Sequence, residues 1–233
     1  MGMGASHARR FVEEGAQVAL TDIDADAGTK LAADLGKNAV FLEHDVTDPD
    51  TWAAVVARVD KAFGPVTVLV NNAGIAGVNA RTADIHVKDF LLVMSVNLYG
   101  VFYGMRAVIP GMIAAGGGSI VNIASTAGFT HTLGTRNLAY TAAKFAVRGM
   151  TKAAAVEYAR QNIRVNAVAP GGVLTPMVSS NLTDEARVAI AAEIPMGRLA
   201  EPGELSNVVL FMATDESSYM TGATVLSDGG LLR

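Results

Sequence analysis

The chain has 233 residues, is 51% hydrophobic and has a mean hydropathy of +0.33, which suits one large core and one domain, residues 1–233. Eighteen basic against 22 acidic residues give a net charge of -4 with no basic run, so no nucleic-acid partner is expected. Zero cysteines exclude disulfides and thiolate catalysis or metal sites and fit a reducing cytoplasm, and no unbroken apolar stretch reaches the ~18 residues that span a membrane.

Met1-Gly2-Met3-Gly4-Ala5-Ser6 admits two readings. It fits a myristoylation pattern, with Gly after Met and Ser four further on. It equally fits a Gly-x-Gly loop opening a helix over Ala5 to Glu14, whose free amides would receive a phosphate. The second reading gains support from the next segment of the chain. Gln17 to Asp22 reads as a buried strand ending in a carboxylate, about 20 positions past the glycines, where a dinucleotide fold binds the adenosine ribose. Asp22-x-Asp24-x-Asp26 is not a calcium loop, because Ala27 and Ala33 stand where Gly and Glu are needed. Asp26 instead caps or opens a helix running to Leu35.

Helix and strand then alternate at the spacing of a parallel sheet, which makes the fold class α/β and doubly wound. Ala39–Leu42 is a strand with Asp45-Val46 just past it. Thr47 or Asp48 caps a helix to Phe63, with Pro49 near its first turn. Val66–Val70 is an apolar strand of the kind covered on both faces, and Asn71-Asn72-Ala73-Gly74 succeeds it at its carboxyl end, where such sheets bind ligands. A long helix from about Val87 to Ala114 carries Asn97, with a kink expected at Pro110-Gly111. Ser119–Ile123 is a strand that delivers Ser125 to the same edge. Ile163–Val168 is another, closing on Pro170-Gly171-Gly172. A helix over Pro202–Ala213 leads to a last strand, Ala223–Leu226.

Between Ser125 and Ile163 lies the stretch with the clearest chemistry. Tyr140 opens a run to Ala159 with no Pro and a single Gly, which reads as a helix. Residues four apart share a face, so Tyr140 and Lys144 point into one cleft. A phenol with a pKa near ~10 is a poor base at neutral pH. An ammonium about 4 Å away, at an effective dielectric near 20, is worth roughly 4 kcal/mol, or about three pKa units. With five Tyr in the chain, one such pair is unsurprising, and alone it decides nothing.

Taken together, Gly2-x-Gly4, Asp22, Asp45-Val46, Asn71-Asn72-Ala73-Gly74, Asn97, Ser125, Tyr140-x-x-x-Lys144 and Pro170-Gly171-x-Val173-x-Thr175 resemble the short-chain dehydrogenase/reductase family over essentially the whole chain. Within it the chain is most similar to the bacterial 3-alpha/20-beta-hydroxysteroid dehydrogenases, on Gly2–His7 and Asp215-Glu216-Ser217-Ser218-Tyr219. The resemblance implies a catalytic tetrad of Asn97, Ser125, Tyr140 and Lys144. Ser125 would hold the substrate oxygen, Tyr140 would exchange its proton, and Lys144 would lower the Tyr140 pKa and bind the nicotinamide ribose. Asn97 would hold a water between Lys144 and solvent. It further implies cofactor contacts at Gly2, Met3, Gly4, Asp22, Asp45, Val46, Asn72, Ala73, Gly74, Tyr140, Lys144, Pro170, Gly171, Val173 and Thr175. A homotetramer with two-fold axes is implied as well, and the helices around Val87–Ala114 and Tyr140–Gln161 are apolar on more than one face.

Two departures bear on this. Ser125 to Tyr140 spans 15 positions, longer than in the branch it resembles, so substrate specificity does not carry over. The family's loop, Thr-Gly-x-x-x-Gly-x-Gly, comes after a first strand, and here the chain begins at the second glycine. That strand belongs between those ending at Asp22 and Asn71. A late start or a fragment is expected, with six parallel strands, a gap or a distorted register, and weak cofactor binding.

The activity expected is interconversion of a small-molecule secondary alcohol and ketone with NAD, because the Asp22 carboxylate accepts from a ribose 2′-hydroxyl and repels a 2′-phosphate. The alternatives are an NADPH-dependent 3-oxoacyl-carrier-protein reductase and a non-catalytic nucleotide-binding relative. Residues 175–190, with Pro176, Met177, Val178 and Leu182, read as a lid over an apolar site. The Asn181-Leu182-Thr183 triplet matches a glycosylation acceptor, but the chain shows no secretory signal ahead of it.

Overall fold

A computed structural model describes residues 2–131, 136–179 and 183–232. The chain runs α1 (Met3–Glu13), β1 (Val18–Asp22), α2 (Ala25–Leu35), β2 (Ala39–Glu43), α3 (Trp52–Phe63), β3 (Val68–Asn71), α4 (Val87–Met94), α5 (Gly100–Ala114), β4 (Gly118–Ile123), α6 (Leu138–Tyr158), β5 (Ile163–Pro170), α7 (Pro176–Ser179), α8 (Asp184–Glu193), α9 (Pro202–Ala213) and β6 (Thr224–Ser227). All strand pairs are parallel, and the fold is an α/β, Rossmann-like single domain.

The six strands form two sheets, β1-β2 and β3-β4-β5-β6. Each of β1 and β3 therefore has one edge with no strand partner among the described residues. The consequence shows in burial. Strands β4 and β5 are buried along nearly their whole length, whereas Val18, Ala19 and Leu20 of β1 and Val68, Leu69 and Val70 of β3 are only half-buried.

The core sits on the second sheet. Ile120, Ile163, Val165 and Ala167 pack with Met105, Val108 and Met112 of α5 and Val147 of α6 on one side. Val121 and Val168 pack with Leu205, Val209 and Met212 of α9, and with Met3 and Phe11 of α1, on the other. Each fully buried side chain of this size contributes roughly 1.5–3 kcal/mol, so β4 and β5 are the rigid floor on which the strand ends are placed. Buried polar side chains fix the register: Asn71 Nδ2 donates to Asn122 Oδ1 at 2.8 Å, and Asn122 Nδ2 donates to Thr151 Oγ1 at 3.0 Å.

Several boundaries differ from the sequence reading, each for a local reason. Helix α1 starts at Met3 rather than Ala5, with Gly2 as its N-cap, so Gly4 lies inside the first turn. Asp24 caps α2 by accepting from Ala27 N at 3.0 Å, and Asp26 is the acid of its first turn, the second of the two places expected for it. Helix α3 starts at Trp52, because the side chains of Asp45 and Asp48 accept from the amides of Thr47 and Asp50 and hold residues 45–51 in turns.

The long helix is interrupted at Ser95–Tyr99 by a π-helical turn, while Pro110 is accommodated within α5. Residues 87–114 are, by length and composition, apolar enough to cross a membrane, yet Val101, Met105, Val108, Ile109 and Met112 of this run lie in the core. The expectations for Asn181 and Leu182, and for part of the loop between Ser125 and Tyr140, fall outside the described residues.

Candidate active site

Parallel strands put all their carboxyl ends on one side of each sheet, and the site residues stand there. Asp22 ends β1, Asp45 lies just past β2, Asn72 to Gly74 just past β3 and Ser125 just past β4, and Pro170-Gly171 close β5. Tyr140 and Lys144 come from the first turns of α6.

Ser125 is extended backbone capping a short turn at Thr126–Gly128, and its Oγ accepts from Ala127 N at 3.1 Å. That bond occupies an acceptor lone pair and leaves the hydroxyl proton free to point elsewhere. Burial raises the Tyr140 pKa above its ordinary value, and the nearby Ser125 hydroxyl opposes the rise without cancelling it.

Lys144 is 3% exposed, and its Nζ donates to the Ile123 carbonyl at 2.7 Å. Burial brings its pKa down to about 8. Its Nζ stands 5.5 Å from the centre of the Tyr140 ring. The expected depression of the phenol by a neighbouring ammonium is therefore not what this geometry gives. Both groups are shielded from water, and desolvation is the largest cause of each shift.

Asn97 is completely buried in the π-helical turn. Its amide forms a closed pair with Ile75, accepting from the Ile75 N–H and donating to the Ile75 carbonyl, both at 2.8 Å. The Asn97 side chain thus holds the backbone just after Gly74. A Cβ added at Gly74 would stand 3.3 Å from Asn97 Oδ1 and 3.8 Å from Lys144 Nζ, so this segment lies directly against the tetrad.

The N-terminal glycines join the same cluster. A Cβ at Gly4 would stand 2.8 Å from Asn72 Nδ2, and one at Gly2 would stand 3.6 Å from Thr175 Cβ. Gly2 and Gly4 thus touch the segments after β5 and β3 respectively. The amides of Met3, Gly4 and Ala5 have no intrahelical acceptor, the first internal bond being Ser6 N to Gly2 O. Asn72 Oδ1 is buried with no partner among the described residues. A helix end whose amides can take an anion, beside a buried acceptor that can take a hydroxyl proton, fits a phosphate-linked dinucleotide.

The remaining candidates are peripheral to that cluster. Asp22 is exposed and accepts from Asp24 N at 3.1 Å. The bonds from Thr47 N and Thr47 Oγ1 hold the Asp45 carboxyl below its usual range. Val46 accepts at its carbonyl from Trp52 Nε1 at 3.2 Å. Ala73 is exposed. Gly171 donates to Ser227 O, and Val173 is buried and bridged in parallel to Ala200. Two residues that matter here are not among the sequence candidates. Ile75 carries no signal of its own, but Arg148, four positions after Lys144, lies on the same helix face and could have been found by that spacing.

A family model described as enoyl-(acyl carrier protein) reductase matches residues 1–232. The chain is 46% identical over 229 residues, 98% of its length and 85% of the relative's, to the 3-alpha-(or 20-beta)-hydroxysteroid dehydrogenase of Mycobacterium bovis. It is 42% identical to the 3-oxoacyl-[acyl-carrier-protein] reductase of Thermotoga maritima, covering 99% of this chain and 94% of that one. It is 41% identical to the NADP-dependent (R)-specific alcohol dehydrogenase of Lentilactobacillus kefiri, covering 99% and 92%.

Proposed function

The chain belongs to the short-chain dehydrogenase/reductase family, oxidoreductases that bind NAD or NADP, and on that premise we propose that it interconverts a secondary alcohol and a ketone with NAD(H). The observation that carries this reading is a buried Tyr140 phenol close enough to Ser125 to feel its hydroxyl, with Lys144 buried one turn further along α6. Ser125, its oxygen already engaged by Ala127 N, offers its proton to the substrate oxygen and holds the charge that develops there. Tyr140 gives its proton to that oxygen in reduction and takes it back in oxidation. With its pKa raised, the phenol is ready to donate at neutral pH, so ketone reduction is the easier direction there and oxidation gains as pH rises.

A bound nicotinamide dinucleotide supplies or accepts the hydride. The α1 amides at Met3, Gly4 and Ala5, with Asn72 to Gly74, Lys144 and Thr175, would hold it, and Asp22, Asp45 and Val46 would serve its adenosine end. An exposed carboxylate at Asp22 favours a free ribose 2′-hydroxyl over a 2′-phosphate. A relative 41% identical is named as NADP-dependent, so the scaffold leaves the choice open and Asp22 makes it.

Beside Tyr140 a small concavity is lined by Gly77, Val78, Ile85, Phe90 and Val93 together with Asp89 and Asn137, and likeness to the hydroxysteroid dehydrogenase supports a hydroxysteroid as substrate. Residues 175–190, which include α7, would close over it as a lid. Likeness to the carrier-protein reductase supports a second reading, NADPH-dependent reduction of oxoacyl thioesters. We also propose a homotetramer. Leu91 and Leu92 of α4, Phe102 of α5, and Phe145 and Val156 of α6 are exposed, and Leu98, Tyr99, Tyr103 and Met150 line an apolar groove beside them.

The test is oxidation of NADH and of NADPH against cyclic ketones, ketosteroids and oxoacyl thioesters. NADH turnover with ketones is the expected result, and Asp22→Asn should narrow the preference for NADH. A preference of the parent for NADPH and thioesters would establish the second reading instead.

A further inference from the structure

Arg148 lies one helical turn beyond Lys144, and its guanidinium reaches back across the fold to the turn just past Ser125. Its Nη1 donates to the Gly128 carbonyl at 2.5 Å, and its Cζ stacks 3.4 Å over the centre of the Phe129 ring. Gly128 is buried and pressed onto α6: a Cβ there would stand 2.8 Å from the Lys144 carbonyl oxygen and 3.1 Å from Arg148 Cδ.

The turn itself is closed on Ser125 twice. Gly128 N donates to the Ser125 carbonyl at 2.9 Å, and Ala127 N donates to the Ser125 Oγ at 3.1 Å. An unbroken line of contacts thus joins Arg148 to Gly128 and Gly128 to Ser125. All three groups that meet the substrate oxygen and its proton are tied to one helix. Tyr140 and Lys144 belong to α6, and Ser125 is fastened to it through Arg148.

We propose that Arg148 is a positioning residue that sets the distance from Ser125 to Tyr140 by clamping the Thr126–Gly128 turn onto α6. A planar cation suits the task, since one side chain both stacks on Phe129 and donates in the plane to a carbonyl. The inference rests on the alcohol–ketone reading for its kinetic consequence, but the clamp itself is a statement about the turn.

Two variants test it, Arg148→Met, which keeps the length and removes the donor, and Arg148→Lys, which keeps a charge and one donor. Amide hydrogen exchange measured by mass spectrometry needs no turnover. In Arg148→Met the amides of 127–129 should exchange about tenfold faster, because their bonds open with the turn, while α5 and β4 keep the parent's protection. Arg148→Lys should fall between the two. In steady-state ketone reduction, Arg148→Met should lose about tenfold in kcat with an unchanged KM for NADH, a loss of the size that small misplacement brings. The pH profile for alcohol oxidation should move to higher pH, because a displaced Ser125 no longer helps the phenolate form.

Parental exchange at 127–129, or faster exchange spread evenly over the whole domain, overturns the clamp. Faster local exchange with parental kcat and pH profile overturns its role in positioning Ser125. A parent chain with no turnover on any alcohol or ketone would defeat the functional reading alone, and the exchange experiment would still decide the clamp.

Discussion

Acidification should unfasten the first helix, and the effect can be sized from one residue. His7 is 4% exposed on α1, where its Nδ1 lies 2.8 Å from Ser206 Oγ on α9 and its Nε2 has no partner among the described residues. The Ser206 hydroxyl is also within bonding distance of Ser6 Oγ, at 2.8 Å, and of the Pro202 carbonyl, at 3.0 Å. Burial lowers the His7 pKa from 6.5 to about 4.

Between those values the unfolded chain binds the proton and the folded chain does not, so stability rises with pH across that window. The contribution is complete above the unfolded value of 6.5 and is lost as pH falls towards 4. A gap of this size is worth roughly 3 kcal/mol in total, of which about 2 kcal/mol disappears between pH 7 and pH 5. Against a typical total of ~5–15 kcal/mol that is a large share. Urea unfolding of the parent and of His7→Asn, at several pH values over that range, measures it. Asparagine keeps a polar atom towards Ser206 but does not titrate, so the variant's stability should fall by about 2 kcal/mol less than the parent's. Parallel curves for the two proteins would refute the reasoning.

Two further outcomes are expected from the edges and faces of the fold. An apolar extended strand joined ahead of Gly2 should pair with the open edges of β1 and β3, and a net gain of about 3 kcal/mol would raise Tm by roughly 6–12 °C. NADH should also bind more tightly. An unchanged Tm, with unchanged amide exchange in β1 and β3, would show that those edges do not accept a strand. Replacing Phe102 and Val156 by glutamate should convert the proposed tetramer to smaller species in sedimentation velocity at micromolar concentration, and a monomeric parent would remove the assembly proposal.

Much of the site was legible because its motifs are local and their order is fixed by a parallel sheet. Alternating apolar strands put Asp22, Asn72 and Ser125 at strand ends, and helical spacing put Lys144 one turn after Tyr140. The structure adds what spacing cannot carry. The apolar pattern runs unbroken through Ser95–Tyr99, so nothing in it marks the π-helical turn that aims Asn97 at Ile75. The late start of α3 comes from Asp45 and Asp48 bonding amides two residues on, a competition that propensity alone leaves undecided.

The sign of the Tyr140 shift is hidden from the sequence for a similar reason. A motif shows that a cation is near but not how far water is excluded, and here exclusion dominates. In the sequence, His7 and Arg148 are ordinary polar residues of two helices. Their partners, Ser206 and Gly128, are 199 and 20 positions away, and only the folded chain brings them into contact.

The central claim is that the Tyr140 hydroxyl moves the proton between protein and substrate oxygen. Tyr140→Phe removes that hydroxyl and leaves a ring of the same shape, so the two measurements that decide the matter are NADH affinity by titration and kcat for ketone reduction. The account predicts nearly unchanged NADH affinity with kcat lowered by about 10²–10⁴-fold. Turnover by Tyr140→Phe within a few-fold of the parent would contradict it and send the proton by another route.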